Sequence, residues 1–512
     1  MTRRTAVGGA ISTSHHLATE AGAAALEAGG NAIDAALAAA ATLCVVYPNN
    51  VALGADLVAL VRSPDGRIRF LNATGEAPSN QTLEALREKH GDALPLRGID
   101  TVTVPGGIRG WNELHEYGAK RQWNEHFTAA IRYAEAGHPT ARSVAAALID
   151  EREAMLQDPG CTSVFYRDGE PLRVGEPLVQ PALAASLAAL AAGGADEFYG
   201  GGLAERWVAG LARLGSKISL DDTRAYRAFW DEPLEREFEG YRVLTGPPNT
   251  SGFILLRALA AIEAGIVDPL GSGAGELVEA IRQANAVRWA ELADPRFGGA
   301  DGDALIAAPA PAAYPGTSKP TGDTVGLSAV SADGWAISLI NSVYYGFGAA
   351  VLEPETGILF QNRGTSFSLD PEFPNAFAPG KRPRHTLMPV LVLRGDELAW
   401  VPSTMGGSGQ PQIHTQLLVR VLSGASPASA TRAPRWMLQE PDDEGRLFVT
   451  VEEGVPIDAR QAIEAAGFEV ALVPPHSEDL GHSNLIRVRG TAYEAASDPR
   501  SDGSAIVVRG SG

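Results

Sequence analysis

Apolar positions fall into helical blocks through the first half of the chain and change to strict alternation just after residue 324. Near the start, Ala21, Ala24, Ala25 and Leu26 form a run that closes at Gly29-Gly30, with Ser14 or Thr19 as candidate cap. Asn31–Val46 predicts an Ala-rich helix whose small side chains let neighbouring backbones come close. The longest apolar stretch, Ala32–Tyr47, is interrupted by Asp34 and reads as a core helix, not a membrane span. Leu57–Arg62 and Arg67–Asn72 predict strands around the turn Pro64-Asp65-Gly66. Helical patterns dominate from Trp111 to Ala300, among them Asn124–Ala136, Gln180–Ala192 and Leu277–Leu292.

The stretch Ala307–Gly322 has no period and carries Pro309, Pro311, Pro315, Gly316 and Pro320, the composition of an exposed, extended segment. Beyond it Val325, Leu327 and Ala329 alternate with Gly326, Ser328 and Val330. Asp333-Gly334 marks a tight turn into a second strand, Trp335–Asn341. Further strands are expected at Gly357–Phe360, Pro389–Leu393, Leu398–Val401, Leu447–Val451 and Ile506–Val508, and helices at Gln412–Leu422 and Ile457–Ala466. A helix-rich front and a strand-rich back, without internal repeats, predict stacked α/β layers in place of independent domains.

Composition narrows the function classes. Hydrophobic residues make up 45% and charged residues 20% of the 512, an ordinary globular balance. The 42 basic and 61 acidic residues give a net charge of −19, which disfavours nucleic acid and anionic membranes as partners. Cys44 and Cys161, the two cysteines, form neither a disulfide framework nor a metal-site spacing. His15-His16 has no partner at ligand spacing, and Gly200-Gly201-Gly202 lacks the setting of a phosphate loop, so neither a metal nor a nucleotide cofactor is expected. With no apolar leader segment recognised at the start, a cytoplasmic location is expected.

The chemistry concentrates where the linker meets the first alternating strand, at Asp323-Thr324. A threonine hydroxyl is a poor nucleophile until a base takes its proton. A break before Thr324 would create that base in the same residue, an α-amino group with an ordinary pKa near ~8. Taken alone, a threonine opening a strand is simply a good β-former.

Several short motifs supply the context: Ser14-His15-His16-Leu17-Ala18, Gly29-Gly30-Asn31-Ala32-Ile33-Asp34-Ala35-Ala36, Val104-Pro105-Gly106-Gly107 and Pro247-Pro248-Asn249-Thr250-Ser251-Gly252. Gly322-Asp323-Thr324, Lys381-Arg382-Pro383, Met405-Gly406-Gly407 and Ala496-Ser497-Asp498-Pro499-Arg500-Ser501-Asp502-Gly503 continue the series. In this order and spacing, from Ser12 onward, the chain resembles the gamma-glutamyltransferase family of N-terminal-nucleophile hydrolases over nearly its full length. The resemblance implies a four-layer αββα sandwich and a precursor that cuts itself between Asp323 and Thr324. The products would be a large subunit, 1–323, ending in the linker 307–323, and a small subunit, 324–512, paired as a heterodimer; dimerisation of that pair stays open. It further implies a Thr324 acyl-enzyme on a small-molecule substrate, a supporting hydroxyl at Ser342, 18 positions on, and an oxyanion site at Gly406 and Gly407.

The family's clamp for a free amino-acid end is where this sequence departs. Tyr344 stands in place of an asparagine, Arg363 of a glutamine, Ser366 of an aspartate and His385-Thr386 of a serine pair, while Leu83 occupies the position of a carboxylate-binding arginine. A guanidinium where an ammonium should dock repels amines and attracts carboxylates. The Arg363-Gly364-Thr365-Ser366-Phe367 form of the motif resembles the acylase and amidohydrolase branch, associated with cephalosporin-type side chains, oxamate and C–C hydrolysis of oxalyl groups. The run Pro48–Asp56 and Glu76 also depart from the family form. Arg384 is expected at the surface, and His414 as a helix-start residue packed against the site. The expected function is hydrolysis of an amide or activated acyl bond in a carboxylate-bearing substrate. A true gamma-glutamyl donor and an unprocessed binding or scaffold protein are the alternatives.

Overall fold

A computed structural model describes residues 7–311, 323–442 and 444–510, with Val7 and Asp323 described by backbone alone. The expected linker falls mostly on 312–322, outside the described residues. In chain order the elements that build the core begin with β1 (Val7–Thr13), α1 (His16–Glu27), α2 (Ala32–Val46), β2 (Asp56–Arg62) and β3 (Ile68–Ala73). Then come α3 (Gly107–Gly118), β4 (Phe229–Asp231), β5 (Leu234–Phe238), β6 (Tyr241–Thr245), α4 (Gly252–Glu263) and α5 (Ala274–Glu291). The rest are β7 (Asp323–Ser331), β8 (Ala336–Tyr344), β9 (Val390–Arg394), β10 (Glu397–Met405), α6 (Gln410–Leu422), β11 (His482–Arg489), β12 (Ala492–Ser497) and β13 (Ser504–Arg509).

These strands form two antiparallel sheets, one of seven strands in the order β13-β1-β7-β8-β2-β3-β4 and one of six in the order β12-β11-β10-β9-β6-β5. The period of two in β7 has a direct structural meaning. Val325, Leu327 and Ala329 point outward and pack on α1, α2 and α3, whereas Val330 joins Ala10, Val58, Ile340, Leu391, Val401 and Ile486 between the sheets. The far face of the second sheet, with Val243, Val392, Trp400 and Leu485, is covered by Leu255 and Leu259 of α4 and by Leu417 and Leu418 of α6. The result is the expected four-layer αββα sandwich. All fifteen residues of α2 are buried, as its alanine content predicts, and Asn31 with Asp34 closes its N-terminus in a capping box.

Three readings change. β1 lies inside the first sheet although its Gly-rich sequence carries little apolar signal. A side chain at Gly9 would collide with the Val330 carbonyl, so the glycine is what lets the strand fit. The hairpin β5–β6 interrupts the stretch read as helical, because its exposed edge position leaves charged residues alternating with apolar ones. The helix expected at Asn124–Ala136 begins as a 3₁₀ turn, Trp123–Phe127, and becomes α-helical only at Thr128. Among the described residues no helix is long and apolar enough to cross a membrane, and no group of three or more His, Cys, Asp or Glu is placed to hold a metal ion.

Candidate active site

Near one end of the sandwich the space between the sheets turns polar. The Ser328 hydroxyl donates to that of Ser403 at 3.0 Å, Ser338 Oγ donates to the Pro402 carbonyl at 2.7 Å, and Asn484 Nδ2 donates to the Gly326 carbonyl at 2.7 Å. A Cβ on Gly326 would stand 2.7 Å from the Thr404 nitrogen, so glycine permits the two backbones to meet there. Ser328 thus sits against Ser403 and Gly326 against Thr404, an antiparallel progression.

Thr324 is buried in the first turn-out of β7. Its Oγ1 lies 3.0 Å from Ser342 Oγ on β8, so the two hydroxyls placed 18 residues apart by the family spacing are neighbours across paired strands. Ser342 Oγ also accepts the Tyr344 backbone N–H at 2.8 Å, which fixes its rotamer. The Thr324 carbonyl accepts from Asn50 Nδ2 at 3.0 Å. Asp323 opens β7 with its backbone opposite Tyr344; its side chain lies outside the described residues.

Gly406 and Gly407 follow the last residue of β10 and lead into α6. Both have positive φ, +147° and +51°, a conformation that glycine adopts without strain. They sit beside the N-terminal end of a helix, where backbone N–H groups and the helix dipole favour negative charge. His414 is buried in α6 with Nε2 3.0 Å from Thr404 Oγ1, so it packs behind this turn as expected.

The residues that replace the amino-acid clamp are also brought together. Arg363 begins a 3₁₀ turn, Arg363–Ser366, held in place by Gly364, where a Cβ would press on the Thr101 carbonyl at 2.7 Å. Its guanidinium is 1% exposed and stacks 3.6 Å from the centre of the Tyr344 ring, with Nη1 donating to Thr386 Oγ1 at 3.3 Å. Nε and Nη2 have no hydrogen-bond partner among the described residues, and no carboxylate pairs with the group. Burial pulls its pKa down to about 10, countered by Tyr344 and Asp56, so it stays cationic at neutral pH.

His385 Nε2 meets Asp56 Oδ2 at 3.1 Å, and its Nδ1 accepts the Leu387 N–H at 3.4 Å. Burial, reinforced by the Arg363 charge and opposed by Asp56, lowers its pKa to about 4. The imidazole is therefore neutral, and its partners assign the proton to Nε2. The neutral His385 adds no charge to that of Arg363. Tyr344, Ser366, His385 and Thr386 line one cavity together with Trp289 and Arg384.

Arg384 corrects the expectation of a surface residue. It is half-buried, stacks 3.7 Å over the Trp289 ring and donates to the Trp289 carbonyl at 3.2 Å. Its position next to His385-Thr386 was the available signal. Trp289, beside the buried Arg288–Glu440 ion pair, and Asn50 were not singled out at all. Asn50 does fall in the run that departs from the family form.

The family model described as gamma-glutamyltranspeptidase matches residues 18–508. The "Glutathione hydrolase-like YwrD proenzyme" of Bacillus subtilis is 35% identical, with 96% of this chain and 97% of that protein aligned. The "Oxamate amidohydrolase proenzyme" of Klebsiella pneumoniae is 36% identical, over 96% and 97%. Among solved structures, a cephalosporin acylase from Bacillus halodurans superposes with a TM-score of 0.89 at 32% identity, covering 99% of this chain and 97% of that one.

Proposed function

The chain belongs to the gamma-glutamyltranspeptidase family and is a hydrolase of its N-terminal-nucleophile type, and from that premise we propose a self-cleaving amidohydrolase for carboxylate-bearing acyl groups, with Thr324 as nucleophile. Maturation begins when Thr324 Oγ attacks the Asp323 carbonyl and the acyl group moves from nitrogen to oxygen. Water then hydrolyses the ester, leaving the Asp323 carboxylate and the Thr324 α-amino group. In turnover that amine takes the Oγ proton while Oγ attacks the substrate carbonyl. The Gly406 and Gly407 N–H groups receive the oxyanion, and the proton passes to the departing amine. One water resolves the acyl-enzyme, so an amide and water become a carboxylic acid and an amine.

The observation that carries the substrate class is Arg363. A buried guanidinium with Nε and Nη2 unpaired and no counter-ion among the described residues is costly unless the ligand supplies the anion. A carboxylate one bond from the reacting carbonyl, as in oxamate, fits a cation that lies against Tyr344, two residues from Ser342. The relative named for oxamate, aligned over 97% of its length, supports the same class, and an oxalyl group lost by C–C hydrolysis would belong to it. Steady-state assays on oxamate and longer oxalyl amides should give a kcat/KM at least tenfold above that for a gamma-glutamyl anilide. Comparable or faster turnover of the anilide sinks this reading.

Ser342 holds Thr324 Oγ1 at hydrogen-bond distance, and replacing it by alanine also removes the hydroxyl that accepts from the buried Tyr344 N–H. A loss on the order of 1–3 kcal/mol follows for such a deletion. Ser342→Ala should therefore mature slowly and show a kcat lowered about 10- to 100-fold, whereas Ser342→Thr, which keeps an acceptor, should retain more. Stopped assays beside gel analysis of the precursor separate the two effects.

A further inference from the structure

On the reading of Thr324 as N-terminal nucleophile, we propose that Asn50 is a positioning residue that holds the Thr324 α-amino group once the chain is cut. Asn50 follows α2 in the turn Tyr47–Asn50, is 1% exposed, and cannot swing away. Its backbone N–H donates to the Tyr47 carbonyl at 3.1 Å and its carbonyl accepts from Val343 on β8 at 3.1 Å. The adjacent Asn49 carbonyl accepts from Phe347 at 2.8 Å. The loop is thus bolted to the strand that carries Ser342.

The side-chain amide is only half used. Nδ2 donates to the Thr324 carbonyl at 3.0 Å, whereas Oδ1, on the same small plane, is buried with no donor among the described residues. A buried acceptor left without a donor is unfavourable, so a native site that keeps one calls for an explanation. Cleavage creates the missing donor. The peptide nitrogen of Thr324 becomes an amine with additional N–H bonds, on the residue whose carbonyl Asn50 already grips. One carboxamide then spans both ends of that residue, donating to its oxygen and accepting from its nitrogen. This turns the amine's lone pair toward the hydroxyl it must deprotonate.

A neutral carboxamide suits this task better than a carboxylate, because a negative charge would favour the ammonium form and remove the base. Acids already line the neighbouring cavity, and a carboxylate at position 50 would add to their effect on the amine. The cavity of about 200 Å³ beside Asn50 and Gly406 is lined by His482, Asp150, Glu478 and Asp479. Burial lowers the His482 pKa to about 4, so its imidazole is uncharged at neutral pH. Glu478, the acid whose pKa burial raises, is tied to Arg142 at 2.8 Å.

The test compares kcat–pH profiles of the mature wild type, Asn50→Asp and Asn50→Leu, with oxamate as substrate. Asn50→Asp is expected to move the acid limb up by about one pH unit, as a carboxylate next to an ammonium does. Asn50→Leu should lower the plateau kcat at least tenfold with KM little changed. A variant that does not cut itself is matured in the full chain through a factor Xa site, Ile-Glu-Gly-Arg, replacing residues 320–323. A side chain that merely packs would leave the acid limb in place, and profiles of both variants within twofold of wild type overturn the proposal. The acyl-enzyme mass increment on fragment 324–512 of the wild type serves as the control. Its presence with unchanged profiles defeats the Asn50 role alone; its absence defeats the Thr324 reading and the Asn50 role with it.

Discussion

Thr324→Ala is expected to remain one uncut chain of 512 residues and to lose activity by about 10⁴-fold or more, the range seen when a covalent nucleophile is removed. One atom is responsible for both losses. Without Oγ1 the Asp323–Thr324 peptide has no internal attacker, and without the cut there is no α-amino base. The fold should survive, because the strand pairing of β7 rests on backbone bonds and the hydroxyl removed is a hydrogen-bond partner of Ser342 at 3.0 Å. A deletion of that kind costs about 1 kcal/mol. Thr324→Ser, which keeps the oxygen, should mature at a reduced rate and give a fragment whose N-terminal sequence begins Ser-Val-Gly-Leu. A Thr324→Ala protein that still separates into 1–323 and 324–512, or that keeps its turnover, would rule out this threonine.

The residues around that threonine differ in how far they could be read in advance. The alternation Val325, Leu327, Ala329 was legible because one face of β7 meets helices and the other meets a second sheet, so the period records real burial. β1 was not, since its place is secured by small residues fitting under Val330 and not by apolar side chains of its own. The proximity of Thr324 and Ser342 came from family spacing, and the strand register supplies its physical basis. Arg363, His385 and Thr386 were legible as departures from a pattern, and the structure gathers them into one cluster. Asn50, Trp289 and Arg384 reach the site from a loop, a helix end and a segment between strands. Their positions depend on packing between distant parts of the chain, and no local period announces it.

Arg363→Met should separate function from stability in opposite directions. Removing one partner of a buried charge pair costs 2–5 kcal/mol or more, so kcat/KM for a carboxylate-bearing amide is expected to fall about 30-fold or further. Without substrate the same guanidinium has no counter-ion among the described residues, only Thr386 Oγ1 and the Tyr344 ring. Replacing an unpaired buried charge by an apolar chain of similar length is neutral or stabilising, so the thermal midpoint should hold or rise. A structural ion pair predicts the reverse, a lower midpoint with activity following it down. His385 offers an independent readout. The Arg363 charge is the second contributor, after burial, to its low pKa, so Arg363→Met should move the imidazole titration upward from about 4. An NMR titration of His385 therefore reports whether the guanidinium was charged in place, while substrate kinetics report what it was charged for. A variant that loses stability and retains its preference for carboxylate-bearing amides would reassign Arg363 to the scaffold.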